Sequence, residues 1–330
     1  MLKNKFTIIC IAQIYNELEK GNLKRFVEYV KPICDALVVY DDASTDGSYE
    51  YIKKITPYVI RGKKNEFENE IYHKSLLLEK AKELGADFVF YLDADEVLSY
   101  GAKENLQKLA QRCIDKNLDG LQFHKINLWR SKTWQRVDSL YNDGWFTHFW
   151  RVTSNMKYTN IKKGLHQNPY PSSVKNIERS KEISVLHYGF ANEKNIANKY
   201  LTYKSYGQRG YLMLDRLISE ERLQLWKVPK KLFPKGLYVS EELRPKKRSF
   251  FEFLEVLMFI SIQRLLIQEE AMEEVGTENE LPSVLPVPTS TPSVPEEERK
   301  SEEPPLRDTS ISLEDEQLRS WQKQFSVPGE

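Results

Sequence analysis

Asp87-Phe-Val-Phe-Tyr-Leu-Asp-Ala-Asp-Glu96 decides the fold. Phe88 to Leu92 is an unbroken apolar run, the pattern of a strand buried on both faces of a parallel sheet. The run stops at Asp93, Asp95 and Glu96. Unpaired acids cannot stay inside such a core, so the strand must surface there. In open α/β sheets, ligands bind at the carboxyl ends of strands. Asp93 and Asp95 are two apart, so along an extended backbone both side chains leave on the same side, with only small Ala94 between them. Two hard oxygen donors so placed suit a divalent cation that takes phosphate oxygens as its other ligands. A solvated acidic turn is the plainer reading, and Asp-x-Asp alone does not separate the two.

Outward from this stretch, strand and helix alternate. Phe6 to Tyr15 reads as a first strand, and Leu23, Phe26, Val27 and Val30 follow at helical spacing. Ala36 to Tyr40 is a second buried strand, ending at Asp41 and Asp42, with Ser44, Thr45 or Asp46 available to cap the next helix. A helix with Ile52 and Ile55, a short strand Tyr58–Ile60 and a helix Glu66–Leu84 lead back to Phe88. Such alternation implies a right-handed, mostly parallel sheet flanked by helices. Gly101 to Arg112 is helical, Gly120 to Trp129 alternates like an edge or antiparallel strand, and 130–171 reads as irregular and aromatic-rich. The Trp and Tyr side chains of 129–150 suit either a sugar-ring platform or core packing. Ile183 to His187 is a short strand and Asn192 to Tyr206 a helix.

The chain has 330 residues, 40% of them hydrophobic, and a net charge of +1. That average hides an asymmetry. Residues 269–330 carry 16 acids and 5 bases, which leaves the preceding 268 at about +12. A basic body fits phosphate-bearing ligands or an anionic membrane face. Cys10, Cys34 and Cys113 are odd in number and widely spaced, which argues for reduced thiols in a reducing, cytoplasmic setting. Lys3 and Lys5 before Phe6–Ile14 mimic a signal peptide, but the apolar run is short and lacks a small-x-small cleavage site. No stretch reaches the roughly 18 to 20 apolar residues of a membrane span.

Three motifs in order, Ile14-Tyr-Asn-Glu17, Val39-Tyr-Asp-Asp-Ala-Ser-Thr-Asp-Gly-Ser48 and Phe90-Tyr-Leu-Asp-Ala-Asp-Glu96, resemble the family 2 glycosyltransferases of GT-A fold. The resemblance covers about residues 5 to 205. It implies a Rossmann-like α/β sheet, a nucleotide-sugar donor (UDP or another nucleoside diphosphate) and a glycan or lipid-linked acceptor. Asn16, Glu17, Asp41, Asp42 and Asp93 would contact the nucleotide, and Asp93 and Asp95 would hold Mn²⁺ or Mg²⁺ on its diphosphate. Later segments resemble a subset of the family: Gln135-Arg-Val-Asp138, Phe149-Trp-Arg151, Gly164-Leu-His166 and Leu186-His-Tyr-Gly189 followed by Lys199-Tyr200. His187 is the candidate third metal ligand, with a hydrogen-bonded structural histidine as the alternative.

The Glu-Asp pair and Gln-x-x-Arg-Trp motif carried by many family members are missing, so the general base stays open among Asp138, Asp143 and His166. Arg136 or Arg151 is a candidate to stabilise the departing diphosphate, with stacking on an aromatic ring or bridging surface acids as the equal alternative. A non-catalytic sugar-nucleotide or glycan-binding module is the alternative function; no nucleic-acid partner is expected. No Gly-x-Gly-x-x-Gly follows the first strand, which argues against a dinucleotide dehydrogenase.

The expected layout is a transferase domain over 1–215, a basic and amphipathic helical extension over 216–268, and an acidic, Pro-rich disordered tail over 269–330. Residues 222–248 hold nine Lys/Arg against two Glu, and Phe250–Ile267 reads as an amphipathic helix. That helix either packs on the body or makes a peripheral contact with the inner face of a membrane.

Overall fold

Apolar runs buried from both sides demand helices on both faces of a sheet, and the structure supplies them. It is a computed structural model that describes residues 5–138, 144–159, 161, 164, 168–205, 220 and 222–277. In chain order the main elements are Ile8–Ile14 (β1), Asn22–Val30 (α1), Ala36–Asp41 (β2), Ser48–Lys53 (α2), Val59–Arg61 (β3), Glu70–Glu83 (α3), Phe88–Tyr91 (β4), Glu96–Leu98 (β5) and Ala102–Asp115 (α4). Then come Gly120–Trp129 (β6), Trp134–Arg136 (β7), Trp145–Arg151 (β8), Ile177–Phe190 (β9), Glu193–Ser205 (α5), Leu225–Lys227 (β10) and Phe250–Thr277 (α6). The sheet runs β10-β7-β6-β8-β4-β1-β2-β3, with β9 pairing β5 and β6. Strands β3, β2, β1 and β4 are parallel, and β8 joins β4 antiparallel. This is a GT-A-like α/β fold.

Alternate residues of each central strand feed opposite cores, as a two-residue period requires. Ile8, Cys10, Ala12, Phe88 and Phe90 join α1 through Leu23 and Phe26 and α4 through Leu106 and Leu109. Ile9, Ile11, Val89 and Tyr91 join α3 through Leu77 and Leu78 on the other face. Full burial of each such Leu or Phe stabilises by about 1.5–3 kcal/mol. All three cysteines are free, with Cys10 and Cys113 in the core.

One expectation is corrected. The stretch read as irregular contains β7 and β8, and β8 fills the centre of the sheet between β6 and β4. Its Phe149 belongs to one core and Trp150 to the other, so no polar face marks it as a strand. Of the two readings of Gly120–Trp129, edge or antiparallel, the second holds: β6 pairs antiparallel with β7 and β8, and its parallel pairing with β9 excludes an edge. The side chains of Trp129 and Trp150 are fully buried, so for these two core packing is the reading that holds.

Candidate active site

Parallel pairing puts the ends of β2, β1 and β4 on one edge, with β1 in the middle. Asp41–Asp42 and Asp93 therefore flank the end of β1, two strand spacings or roughly 10 Å apart. The loops on this edge are tied together. Asn16, at φ 51°, accepts a hydrogen bond from Thr45 N–H (2.8 Å), and its own N–H donates to Ser44 Oγ (3.0 Å). Asp46 accepts from Ser48 N–H (3.0 Å) and Leu18 N–H (2.9 Å), joining the β2 loop to the β1 loop.

Asp41 is fully buried, accepts from Ser44 N–H and lies 3.9 Å from the Arg61 guanidinium. Asp42 accepts from Asn65 Nδ2 (2.8 Å) and from Glu66 N–H (3.0 Å). Burial, reinforced by the neighbouring Glu66 and Asp41 charges, pushes its carboxyl up to about 6 despite the Glu66 N–H bond. Glu17 bonds Lys20 (2.7 Å) and Asn22 (2.8 Å) and is also raised, first by burial and further by the charge of Asp95. Parallel pairing of Ile11 with Tyr91 sets the β1 end beside the β4 turn.

The turn after β4 is held from below. Tyr91 Oη donates to Asp93 Oδ1 (2.7 Å), and Asp93 N–H donates to Glu96 Oε2 (3.1 Å). Glu96 is fully buried and pairs with Lys125 of β6 at 2.5 Å. Strand β5 pairs antiparallel with β9 in a register that sets Glu96 opposite His187, and Tyr188 N–H donates to the Asp95 carbonyl (2.7 Å).

This register brings His187 Nε2 to 3.4 Å from Asp95 Oδ2, while its Nδ1 lies 2.7 Å from Asn127 Oδ1. Lys199 Nζ of α5 lies 3.0 Å from the same Asp95 oxygen. Burial alone would raise Asp95, but Lys199 and then His187 hold it well below the usual carboxylate range. Arg25 of α1 also feels the Asp95 and Glu17 charges and stacks 3.8 Å over the Tyr188 ring. The backbone passes so close that a Cβ on Gly189 would land on Asp95 Oδ2 and 2.5 Å from His187 Nε2.

Lys199 and Arg25 are the residues of this rim that sequence reasoning left without a role. Lys199 stood in a quoted motif; Arg25 carried only its position near the start of the helix after β1. Arg151, a candidate for meeting the diphosphate, pairs in register with Phe88 at the start of β4, away from the carboxylate edge. Arg136 is buried, donates to both oxygens of Asp138 (2.6 and 2.9 Å) and stacks 4.4 Å over Trp129. Asp143 and His166 lie outside the described residues.

Asp95 Oδ1 is buried and has no hydrogen-bond partner among the described residues. An unsatisfied carboxylate oxygen beside an imidazole fits a hard or borderline divalent cation. Among the described residues no group of three His, Cys, Asp or Glu side chains converges to hold a metal alone. The donor set thus suits an ion that completes its shell with phosphate oxygens.

A parallel α/β sheet with paired acids on its carboxyl edge places this site where open α/β folds bind ligands. Residues 10–170, just under half of the chain, match the family model of Glycosyl transferase family 2, a family of glycosyltransferases. No curated protein matches it in sequence. Among solved structures it is similar to S. aureus TarS 1-349 in complex with UDP-GlcNAc, at 15% identity and a TM-score of 0.39, over 64% of this chain and 69% of that one. It is also similar to glucosyl-3-phosphoglycerate synthase from Mycobacterium tuberculosis, in complex with Mn²⁺ and UDP-Glc, at 15% identity and a TM-score of 0.27, over 36% and 44%. Similarity at this level transfers no residue or ligand to this chain.

Proposed function

We propose that the chain moves a sugar from a nucleotide-sugar donor to a hydroxyl of a glycan or lipid-linked glycan, with inversion. The observation that carries this reading is the shared edge on which Asp41–Asp42 and Asp93–Asp95 flank the end of β1. Asp42 would accept hydrogen bonds from the base and ribose, with Asp41 behind it and Asn16 and Glu17 on the adjoining loop. Asp93, Asp95 and His187 would hold Mn²⁺ or Mg²⁺ against the diphosphate. Bound there, the cation would offset negative charge on the departing nucleoside diphosphate.

Lys199 and Arg25 add fixed positive charge at the same rim, where a growing negative charge is best met by groups already in place. The acceptor proton would go to Asp138, Asp143 or His166, on the face opposite the leaving group. A lipid-linked acceptor would bring the chain to the cytoplasmic face of a membrane.

UDP, or another nucleoside diphosphate, should raise the melting temperature only with Mn²⁺ or Mg²⁺ present. Transfer from the matching sugar nucleotide should vanish in Asp95→Asn. A variant that binds and turns over the donor like wild type would overturn the reading. For the base, each of Asp138→Asn, Asp143→Asn and His166→Gln is measured for kcat and KM beside its melting curve. The base is the one whose loss lowers kcat by about 10²-fold or more while KM and melting hold.

A further inference from the structure

Helix α6 has two apolar sides, and the body covers only one. At 100° per residue, Phe253, Val256, Leu257 and Ile260 point one way. They pack with Trp129, Tyr200 and Leu225. Phe251, Met258, Ile262 and Leu265 point the opposite way, within about 40° of one line. These four, with Phe259 beside them, are 55% to 75% exposed. Isolated exposed apolar residues need no explanation, but a stripe of aromatic and long aliphatic side chains over four turns does.

The segment ahead of the helix has a matching character. Leu243 is 86% exposed, and Arg244, Lys246 and Lys247 follow it, all exposed, before Phe250. Arg248 is not free; it is buried and pairs with Glu193. Arg244 and Lys227 both sit 5.8 Å from the Trp134 ring, which brings the exposed Trp226–Lys227 pair to the same place. Of the two acids early in the helix, Glu252 caps Ser249 N–H, leaving Glu255 beside the stripe. Exposed cations therefore ring the N-terminal end of the stripe. It ends before Glu269 and Glu270, so the contact covers the first turns only.

We propose that this surface docks on an anionic membrane face, with α6 lying in the plane of the headgroups. Its outer stripe enters the boundary with the acyl chains, and the Arg244–Lys247 collar meets lipid phosphates. Charge complementarity selects lipid over an uncharged apolar partner. No described helix is long and apolar enough to cross a membrane, and a helix held along one side by the body is suited to lying flat. The inference deepens the acceptor side of the proposed reaction but needs no donor, so the two fail separately.

The test is co-sedimentation of the full chain, without nucleotide, on vesicles with roughly one-third phosphatidylglycerol in phosphatidylcholine. Binding should fall about tenfold or more on pure phosphatidylcholine, or when salt is raised to about 0.5 M. Phe251→Asp with Ile262→Asp, and separately Lys246→Glu with Lys247→Glu, should each cut binding about tenfold with melting temperatures unchanged. Both pairs are exposed, so the fold tolerates them. Variants that bind like wild type, no vesicle binding at all, or a dimer in light scattering that Phe251→Asp dissociates would overturn the proposal.

Discussion

Replacing Lys199 with Met keeps the length of the side chain and deletes the charge 3.0 Å from Asp95. Asp95 is left with His187 at 3.4 Å, inside a rim that also holds Glu17. Removing one partner of a fully buried pair costs about 3–5 kcal/mol. Here the lysine keeps 27% exposure and Asp95 10%, so water screens part of the loss and about 2–3 kcal/mol is expected. For a domain of this size that lowers the melting temperature by roughly 4–12 °C. Calorimetry on the metal-free chain reads it directly. Asp95→Asn combined with Lys199→Met should cost at least 1 kcal/mol less than the two single changes added together, because they delete one shared interaction. A Lys199→Met chain that melts within about 1 °C of wild type, or strictly additive losses, would show that the pair does not hold the rim.

Asp42 sits at about 6 when folded, above its unfolded value, so the stability linked to its proton is present below about pH 4 and lost as pH rises through 6. Urea unfolding of wild type should show this decline and Asp42→Asn should lack it; nucleoside diphosphate affinity of wild type should rise over the same window, and a flat profile refutes the role. Gly189→Ala forces a methyl between Asp95, His187 and Lys199; it should cost about 1–3 kcal/mol by overpacking and weaken donor binding, and wild-type affinity in titration calorimetry would refute the close approach. Arg136→Lys breaks a two-pronged pair with Asp138 that a single ammonium cannot reproduce, so its melting temperature should fall by several degrees; unchanged melting would show that the fork is not holding β7.

The parallel half of the molecule was legible because β1, β2 and β4 are continuous apolar runs ending in acids, and α1 and α4 carry their buried residues at helical spacing. Strand β8 was not, since both its faces are buried and its aromatics match no alternation. Strand β6 was legible as antiparallel, which its pairing with β7 and β8 bears out, but not as interior to the sheet. Lys125 gave it the polar beat of a solvent-facing strand, yet the ammonium points under the active-site turn to Glu96. The acids of the site were legible through their place at strand ends. Their cations were not: Lys199 is 104 positions from Asp95, and nothing local to either residue announces the other. Helix α6 is legible as a helix that packs on the body, and Phe253 and Ile260 do so; that its opposite side is apolar too shows only in the structure.

The distance between Asp95 and Lys199 along the chain also bears on biosynthesis. The central strand β4 lacks its antiparallel neighbour until Trp145–Arg151 has been made, and the buried aspartate lacks its counter-charge until about residue 199 has cleared the exit tunnel. A nascent or truncated product stopping at residue 170, where the family match ends, would carry Asp95 without the lysine and histidine that lie against it. Ribosome-arrested lengths on either side of α5 should therefore differ sharply in protease resistance.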